Sequence, residues 1–474
     1  MHRRQFLTLS SAVAGTFLMS QCAVQRSAPR ALAPIRSQDG LLQLDLVAER
    51  ATVNLASRSA SLMTYNGQVP GPQIEARAGD QVQIRFTNAL AEPTNLHFHG
   101  LHIPPTGLAD DPFRQVNPGE TANYEFTIPA DHPGGLFWYH PHYHGLVAQQ
   151  VFNGLAGLLV VRGAVDQLPA LRDTQEAFWV LQDFDLNRQG QVREPMPMFR
   201  MWGRQGDLIT VNGQDAPTLA IPQGGLLRLR LLNASASRVY RLQLKDYPWF
   251  LIATDGMTLA APVESEELLL APGERRDLLL AGGGREGTYD LLSLPYDRGL
   301  MTMMAGMGGR MGPSHGAGES AMLGQITVPE DSQPMALPAT LIPVETLPEP
   351  DTVREFVLDH GIDPTTRQPF LINGRAFDHH RVDTQVKLGT VEDWVITNKA
   401  GMDHPFHLHT NAFQVISRNN QPEPFQAWRD VVNIPPYETV RIRIPFRGFT
   451  GKTVYHCHIL DHEDQGMMGI VEMI

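Results

Sequence analysis

The chain repeats one pattern of motifs three times, at intervals of roughly 150 residues. Each copy contains an Asn-Gly pair, a segment in which apolar and polar residues alternate, and a turn signal before a further such segment. Alternation with a period of two is typical of antiparallel strands that bury one face. Repeats of this length indicate tandem domains and not a solenoid. The Asn-Gly pairs are Asn66-Gly67, Asn212-Gly213 and Asn373-Gly374.

The repeats predict an all-β protein made of three consecutive β-sandwich domains. A length of 474 residues allows two or three domains, and 42 glycines with 36 prolines fit a chain with many turns. We place the first domain at residues 37–163, the second at 164–330, a proline-rich linker at 331–350 and the third domain at 351–474.

The first residues have the features of an export signal. Arg3 and Arg4 precede an apolar run over residues 6–19, which is shorter than the roughly 20 apolar residues that span a bilayer. We therefore expect residues 1–30 to be a twin-arginine signal peptide and leader, and the mature protein to be periplasmic or otherwise exported. Lipidation of Cys22 stays open.

The net charge argues against some classes of partner. At -12, the chain is too acidic for nucleic acid or an anionic membrane to be expected as a partner. We expect a monomer that acts on small molecules and has no stable membrane insertion.

Residues 455–467 concentrate metal-binding side chains near the C-terminus. Cys457 lies between His456 and His458, and His462 and Met467 follow. A thiolate, imidazoles and a thioether are the ligands of a blue-copper electron-transfer site. In a strand, Cys457 faces one side and its two neighbours face the other. One metal site on each side of the strand would then be joined through the cysteine backbone.

The histidines are distributed unevenly over the three repeats. The first and third domains contain His-x-His pairs, whereas the second has Asp290 where its neighbours have His140 and His456. Two imidazoles separated by one residue face the same side of a strand, close enough for adjacent metal ions. We therefore expect the first and third domains to supply ligands and the second to act as a spacer. The pairs are His97 and His99, His140 and His142, His407 and His409, and His456 and His458.

These segments resemble, in order, the copper motifs of the multicopper oxidases. The resemblance covers essentially the whole mature chain and is closest to the bacterial laccase-like and cuprous oxidases. It implies three cupredoxin-like Greek-key domains and four copper ions. The implied ligands are His404, Cys457 and His462 with axial Met467 for type 1 copper, His97 and His407 for type 2 copper, and His99, His140 and His458 with His142, His409 and His456 for the type 3 pair.

The resemblance also implies a reaction. Type 1 copper would accept single electrons from a reductant and pass them through Cys457 to the other three ions, where dioxygen is reduced to water. Carboxylates are natural proton carriers, and Asp110 and Glu463 resemble the proton-relay acids of this family. Asp111 is the alternative to Asp110. The histidines without a place in this scheme are predicted to be surface or packing residues: His102, His132, His144, His315, His360, His379 and His380.

Two groups of methionines bear on the substrate. One lies in the glycine-rich segment 301–322, and the other consists of Met196, Met198 and Met201. Thioethers suit Cu(I), and such segments resemble the methionine-rich covers of cuprous oxidases, so Cu(I) is the predicted substrate, in copper tolerance. One alternative is a laccase that oxidises phenols and aromatic amines. Another is a copper-binding or structural cell-envelope protein on the same fold, which predicts missing ligands.

Overall fold

A computed structural model describes residues 34–223, 225–283, 285–299, 320–330, 332 and 335–474. The predicted signal peptide, Cys22 and the methionine-rich residues 301–319 lie outside these ranges. Strands dominate the described chain, as the alternation predicted. No helix in the described ranges is long and apolar enough to cross a membrane.

The first domain contains these strands and one short helix: β1 (Ile35–Arg36), β2 (Leu41–Leu55), β3 (Arg58–Tyr65), β4 (Gly71–Arg77), β5 (Gln81–Asn88), β6 (His97–His99), β7 (Thr121–Thr127), β8 (Gly135–His140), α1 (Val147–Phe152) and β9 (Gly157–Arg162). Within the described residues they form one sheet ordered β1-β4-β9-β8-β6 and another ordered β3-β2-β5-β7. Val82, Ile84 and Phe86 point from β5 into the core between the sheets, where Phe98 of β6 joins them.

The second domain contains these elements after a 3-10 turn at Ala164–Gln167: β10 (Gln175–Phe184), α2 (Pro197–Arg200), β11 (Leu208–Val211), β12 (Thr218–Ala220), β13 (Leu226–Asn233), β14 (Tyr240–Leu244), β15 (Trp249–Thr254), β16 (Met257–Ser265), β17 (Glu267–Leu270), β18 (Arg275–Ala281), β19 (Gly287–Leu294) and β20 (Ala321–Val328). In the described part of this domain the sheet orders are β11-β10-β13-β18-β15-β16 and β12-β20-β19-β14-β17.

The third domain contains these elements: β21 (Thr352–His360), β22 (Phe370–Ile372), β23 (Thr384–Val386), β24 (Val391–Asn398), β25 (His404–Leu408), β26 (Phe413–Arg418), β27 (Gln421–Pro422), β28 (Trp428–Arg429), β29 (Val431–Ile434), β30 (Thr439–Pro445), β31 (Gly451–Cys457), α3 (Leu460–Asp464) and β32 (Met468–Met473). One sheet is ordered β22-β21-β24-β30-β26-β27, with β28 paired to β26, and the other β23-β32-β31-β25-β29.

The repeated Asn-Gly pairs form the same turn in each domain. The three asparagines have φ values of 53, 52 and 53° and the following glycines 70, 73 and 74°, as a two-residue hairpin turn requires. Each asparagine side chain also accepts a backbone N–H from a neighbouring strand. These donors are Val47, Val180 and Val357.

The polar face of β13 differs from the sequence expectation. Alternation predicted a solvated face, yet Arg228 and Arg230 are buried. They form ion pairs with Asp277, at 2.6 and 3.0 Å. Apolar residues of β8 and β9 in the first domain pack with residues of β10 and β13. The interface between domains therefore covers a strand face that would otherwise contact solvent.

The proline-rich segment predicted as a linker has no regular secondary structure in its described residues. Backbone hydrogen bonds join it to the second domain, from Leu341 N to Ala260 O at 2.7 Å. Its Glu345 carbonyl accepts a hydrogen bond from Gln414 in the third domain, at 2.7 Å. The connection is thus attached to both domains that it joins.

Candidate metal centre

The histidine pairs lie on neighbouring strands in each of two domains. In the first domain, His97 on β6 is opposite His140 on β8 in antiparallel register. In the third domain, His407 on β25 is opposite His456 on β31. Pairs that are distant in sequence are therefore adjacent because their strands are hydrogen-bonded neighbours.

Imidazoles from the first and third domains stack on one another. The ring centroids of His99 and His407 are 3.8 Å apart, as are those of His97 and His409. All the paired histidines are buried. The structure thus brings together the sets predicted for the type 2 and type 3 ions. The groups whose ring nitrogens converge are His97, His407 and His409, then His99, His140 and His458, and finally His142, His409 and His456.

Hydrogen bonds at Nδ1 orient several of these imidazole rings. Nδ1 of His140 lies 2.9 Å from the Pro141 carbonyl, and Nδ1 of His407 lies 2.7 Å from the Asp430 carbonyl. A carbonyl only accepts, so Nδ1 carries the proton and Nε2 keeps a free lone pair. Among the described residues, these Nε2 atoms have no hydrogen-bond partner: those of His97, His99, His140 and His407.

Burial also fixes the protonation state of the imidazoles. It lowers the pKa of His142 and of His456 to about 4. Neutral imidazole is the form that binds metal ions. Buried neutral rings with unpartnered nitrogens are costly in an apolar core, so this arrangement fits a metal cluster better than a packing role.

Cys457 lies at the centre of a second group of ligands. Its Sγ is 3.3 Å from Nδ1 of His404 and 3.8 Å from Nδ1 of His462. Met467 is buried in the same apolar cluster, and its carbonyl accepts the Cys457 N–H at 3.0 Å. Burial raises the pKa of the Cys457 thiol. A bound cation is what would favour thiolate in such surroundings.

The peptide backbone links the two groups. Cys457 ends β31 facing His404 and His462, whereas its neighbours His456 and His458 face the histidine cluster. This is the alternation that the motif predicted.

Asp110 lies against the histidine cluster, and Asp111 does not. Both carboxylate oxygens of Asp110 are 3.0 Å from Nδ1 of His97, and Oδ1 accepts the Phe98 N–H at 2.9 Å. Burial raises the pKa of Asp110 to about 8. Asp111 is half-buried and instead accepts the N–H of Phe113. The geometry favours Asp110 over its neighbour as the acid of this site.

Glu463 follows His462 on α3 and contacts histidines of the cluster other than the one that Asp110 contacts. Its carboxylate oxygens are 3.4 Å from Nε2 of His142 and 3.1 Å from Nδ1 of His456. Glu463 is buried, which raises its pKa to about 7. The two predicted proton-relay acids therefore contact different histidines.

The sequence did not indicate several neighbours of the cysteine site. Nε2 of His462 donates to the Met201 carbonyl at 3.2 Å, and the His360 ring lies 5.2 Å from that of His404. Met201 precedes Arg204, which binds Asp461 on α3 with Nη2–Oδ1 at 2.9 Å. The second domain is thus in contact with the cysteine site, beyond the spacer role predicted for it. The position of Asp461 next to His462 in the sequence is the feature that could have indicated this contact.

Comparison with known proteins agrees with this geometry. A multicopper oxidase family model matches residues 47–165, and a second model of the same description matches residues 348–473. The chain belongs to the multicopper oxidase family. It is 32% identical to the solved multicopper oxidase from Campylobacter jejuni, described as a metallo-oxidase, with a TM-score of 0.83 and 94% of each chain covered.

Two curated relatives differ in their names. The multicopper oxidase mco of Staphylococcus epidermidis is 30% identical, over 87% of this chain and 84% of the relative. The cell division protein FtsP of Edwardsiella tarda is 32% identical, over 80% of this chain and 78% of the relative. The multicopper oxidase fold confirms the predicted cupredoxin-like sandwich domains. Family membership implies copper, and the mixed imidazole and thiolate donors fit that metal.

Proposed function

We propose that this multicopper oxidase oxidises Cu(I), with dioxygen as the electron acceptor. The observation that carries the proposal is the environment of His462. Its Nε2 donates to the carbonyl of Met201 at the end of α2, and Met196 and Met198, on the same short helical segment, are 58% and 47% exposed. Exposed thioethers on the segment that contacts a ligand of the cysteine site suit a soft cation that donates an electron there.

The histidine and cysteine ligands proposed for copper are those whose donor atoms converge in the structure. His404, Cys457 and His462 would hold one ion, with Met467 of the same apolar cluster as a further ligand, and the histidine cluster would hold three. Copper bound in this way would supply one-electron oxidation at the cysteine and the reduction of dioxygen to water at the histidines. The chain contributes the short backbone path between the two groups, because His456 and His458 flank Cys457.

The chain also contributes proton positions. The Asp110 carboxyl can hold a proton next to His97 Nδ1, and the Glu463 carboxyl can hold one next to His456 Nδ1. Both groups are buried, so a proton on either is shielded from bulk solvent. Positioned acids of this kind serve as general acids or bases.

Turnover of Cu(I) compared with that of a substituted phenol tests the proposal. In the double variant Met196→Leu/Met198→Leu, the apolar bulk stays while the soft sulfur ligands are lost. We expect a higher KM for Cu(I) with unchanged phenol oxidation, since ground-state binding alone is weakened. Met335→Leu, at a methionine that is 43% exposed on the predicted linker, is the control. Equal Cu(I) kinetics in parent and double variant would remove the support for Cu(I).

Residues 301–319 lie outside the described structure, so the proposed copper role of the methionines there rests on the sequence. Changing Met301, Met303, Met304, Met307 and Met311 to Leu tests it. Unchanged Cu(I) oxidation in that variant would leave the segment as a cover only and would favour the laccase alternative.

The similarity to FtsP supports a second candidate, a structural cell-envelope protein on the same fold. The complete set of converging ligands argues against it. Copper content distinguishes the two, because a structural protein needs no copper and would show no oxygen consumption with any reductant.

We also propose export through the twin-arginine signal and a monomeric mature protein. Arg3→Lys/Arg4→Lys should retain the full-length precursor in the cytoplasm. Fractionation would show this, and sedimentation would report the mass of the mature protein.

A further inference from the structure

A turn of the second domain reaches the histidine cluster. Gly273 begins this approach at φ +84°, and a Cβ there would lie 2.9–3.1 Å from atoms of the His458 ring. A side chain at this position would collide with the imidazole, so the backbone itself packs on the ring. The second domain is therefore in direct contact with the proposed trinuclear site.

Arg275, two residues farther on, is fully buried and makes a fork-to-fork pair with a carboxylate. Its Nη1 and Nη2 donate to Oδ1 and Oδ2 of Asp430, at 2.7 and 2.6 Å. Its remaining donors bind backbone carbonyls, with Nε to Leu136 at 3.1 Å and Nη2 to Asp255 at 2.9 Å. Since Leu136 belongs to the first domain and Asp430 to the third, one guanidinium joins all three domains.

The Arg275–Asp430 pair contacts two proposed copper ligands. Nδ1 of His99 lies 3.3 Å from Arg275 Nη1 and 3.7 Å from Asp430 Oδ1. Nδ1 of His407 donates to the Asp430 carbonyl at 2.7 Å. The Nε2 atoms on the opposite side of both rings face the cluster without a partner in the described residues. The Asp430 carbonyl therefore orients the His407 ring, and the Arg275–Asp430 pair packs against Nδ1 of the His99 ring.

We propose that Arg275 is a positioning residue of the trinuclear site, which holds Asp430 so that His99 and His407 present Nε2 to copper. The inference rests on the proposed copper sites. A planar guanidinium can bind both carboxylate oxygens and the flanking carbonyls at once, whereas an ammonium group cannot. Gly100, beside His99, packs closely on this pair, because a Cβ there would overlap both Arg275 and Asp430.

The test compares Arg275→Lys and Arg275→Met with the control Arg230→Met. Arg230 is another buried arginine of the second domain, paired with Asp277, so the control removes a buried charge away from the histidine contacts. Copper retention is followed by chelator titration, with the blue absorption for type 1 copper and electron paramagnetic resonance for type 2 copper. Loss of an outer partner of a ligand typically weakens metal affinity about 10–100-fold.

We expect both Arg275 variants to keep the blue absorption and to lose copper from the histidine cluster about 10–100-fold more readily, while the control keeps all signals. Parent-like retention and type 2 spectra would overturn the proposal. So would loss of the blue absorption in both variants but not in the control, since Arg275 would then support the whole fold. Chelator titration needs no turnover. A parent that binds copper but does not oxidise Cu(I) would contradict only the proposed substrate.

Discussion

Individual side chains divide the site into two chemical parts. Cys457 and its neighbours His404 and His462 provide the thiolate group, whereas Asp110 and Glu463 flank the imidazole cluster. The division arises because consecutive residues of a strand face opposite sides. Single substitutions should therefore affect one part and spare the other.

Cys457→Ser should abolish the blue absorption, because the intense band requires a thiolate bound to copper. The histidine cluster faces the other side of β31 and should still load. Absorption spectra with copper analysis check this outcome. A variant that stays blue would contradict the assignment of Cys457.

Asp110→Asn should leave copper content and reduction of the cysteine site nearly unchanged, and should slow reoxidation by dioxygen. The amide can still accept the Phe98 N–H, but it cannot relay a proton, and such general-acid help is typically worth about 10²–10⁴-fold. Stopped-flow reoxidation measures the effect. Asp111→Asn is the matched control, and equal slowing in both variants would point to the turn rather than to Asp110.

At the level of elements, α3 joins the copper motif of the third domain to the first domain. Asp464 at its end accepts backbone N–H groups at the start of α1, from Gly145 and Val147 to Oδ1 and from Ala148 to Oδ2, at 2.7, 3.2 and 2.9 Å. Asp464, at the end of α3, therefore caps the N-terminus of α1 and holds the two helices together. The start of α1, which follows the strand of His140 in the chain, is held against the helix that carries His462 in this way.

Asp464→Ala should lower the free energy of unfolding by about 1–2 kcal/mol, since it removes a helix cap. Chemical denaturation of the copper-free protein measures this loss. Glu472→Ala, at a surface carboxylate that accepts a hydrogen bond from Gln385, should change stability by less than about 0.5 kcal/mol. An equal loss in the two variants would mean that the cap contributes nothing specific.

For the whole molecule, the three domains jointly enclose the histidine cluster and the cysteine site proposed to bind copper. The first and third domains supply the imidazoles. The second domain contributes Arg204 and Arg275, which bind Asp461 and Asp430 of the third domain. Metal ions held by ligands from two domains act as cross-links, so copper should stabilise the assembled chain and not one domain alone.

Removing copper should therefore lower the unfolding temperature. Ligands that bind only the folded state stabilise it by about 4 kcal/mol when the free ligand exceeds its Kd about 1,000-fold. Calorimetry before and after chelation measures the shift. In Cys457→Ser, which retains the histidine cluster, chelation should still lower the unfolding temperature, by less than in the parent. Identical unfolding with and without copper would contradict ligation across the domains.

The sequence alone determined the strand-rich class, the repeated turns and the residues whose donor atoms converge, because these follow from local chemistry. Asn-Gly pairs adopt left-handed turns by themselves, and His-Cys-His on a strand must divide its side chains between two faces. Only the tertiary structure decided which partners orient the ligands. Asp430 and Arg275 have ordinary sequence surroundings, and they reach His99 because separate domains pack together. The buried face of β13 has the same cause, since local alternation carries no information on what another domain covers.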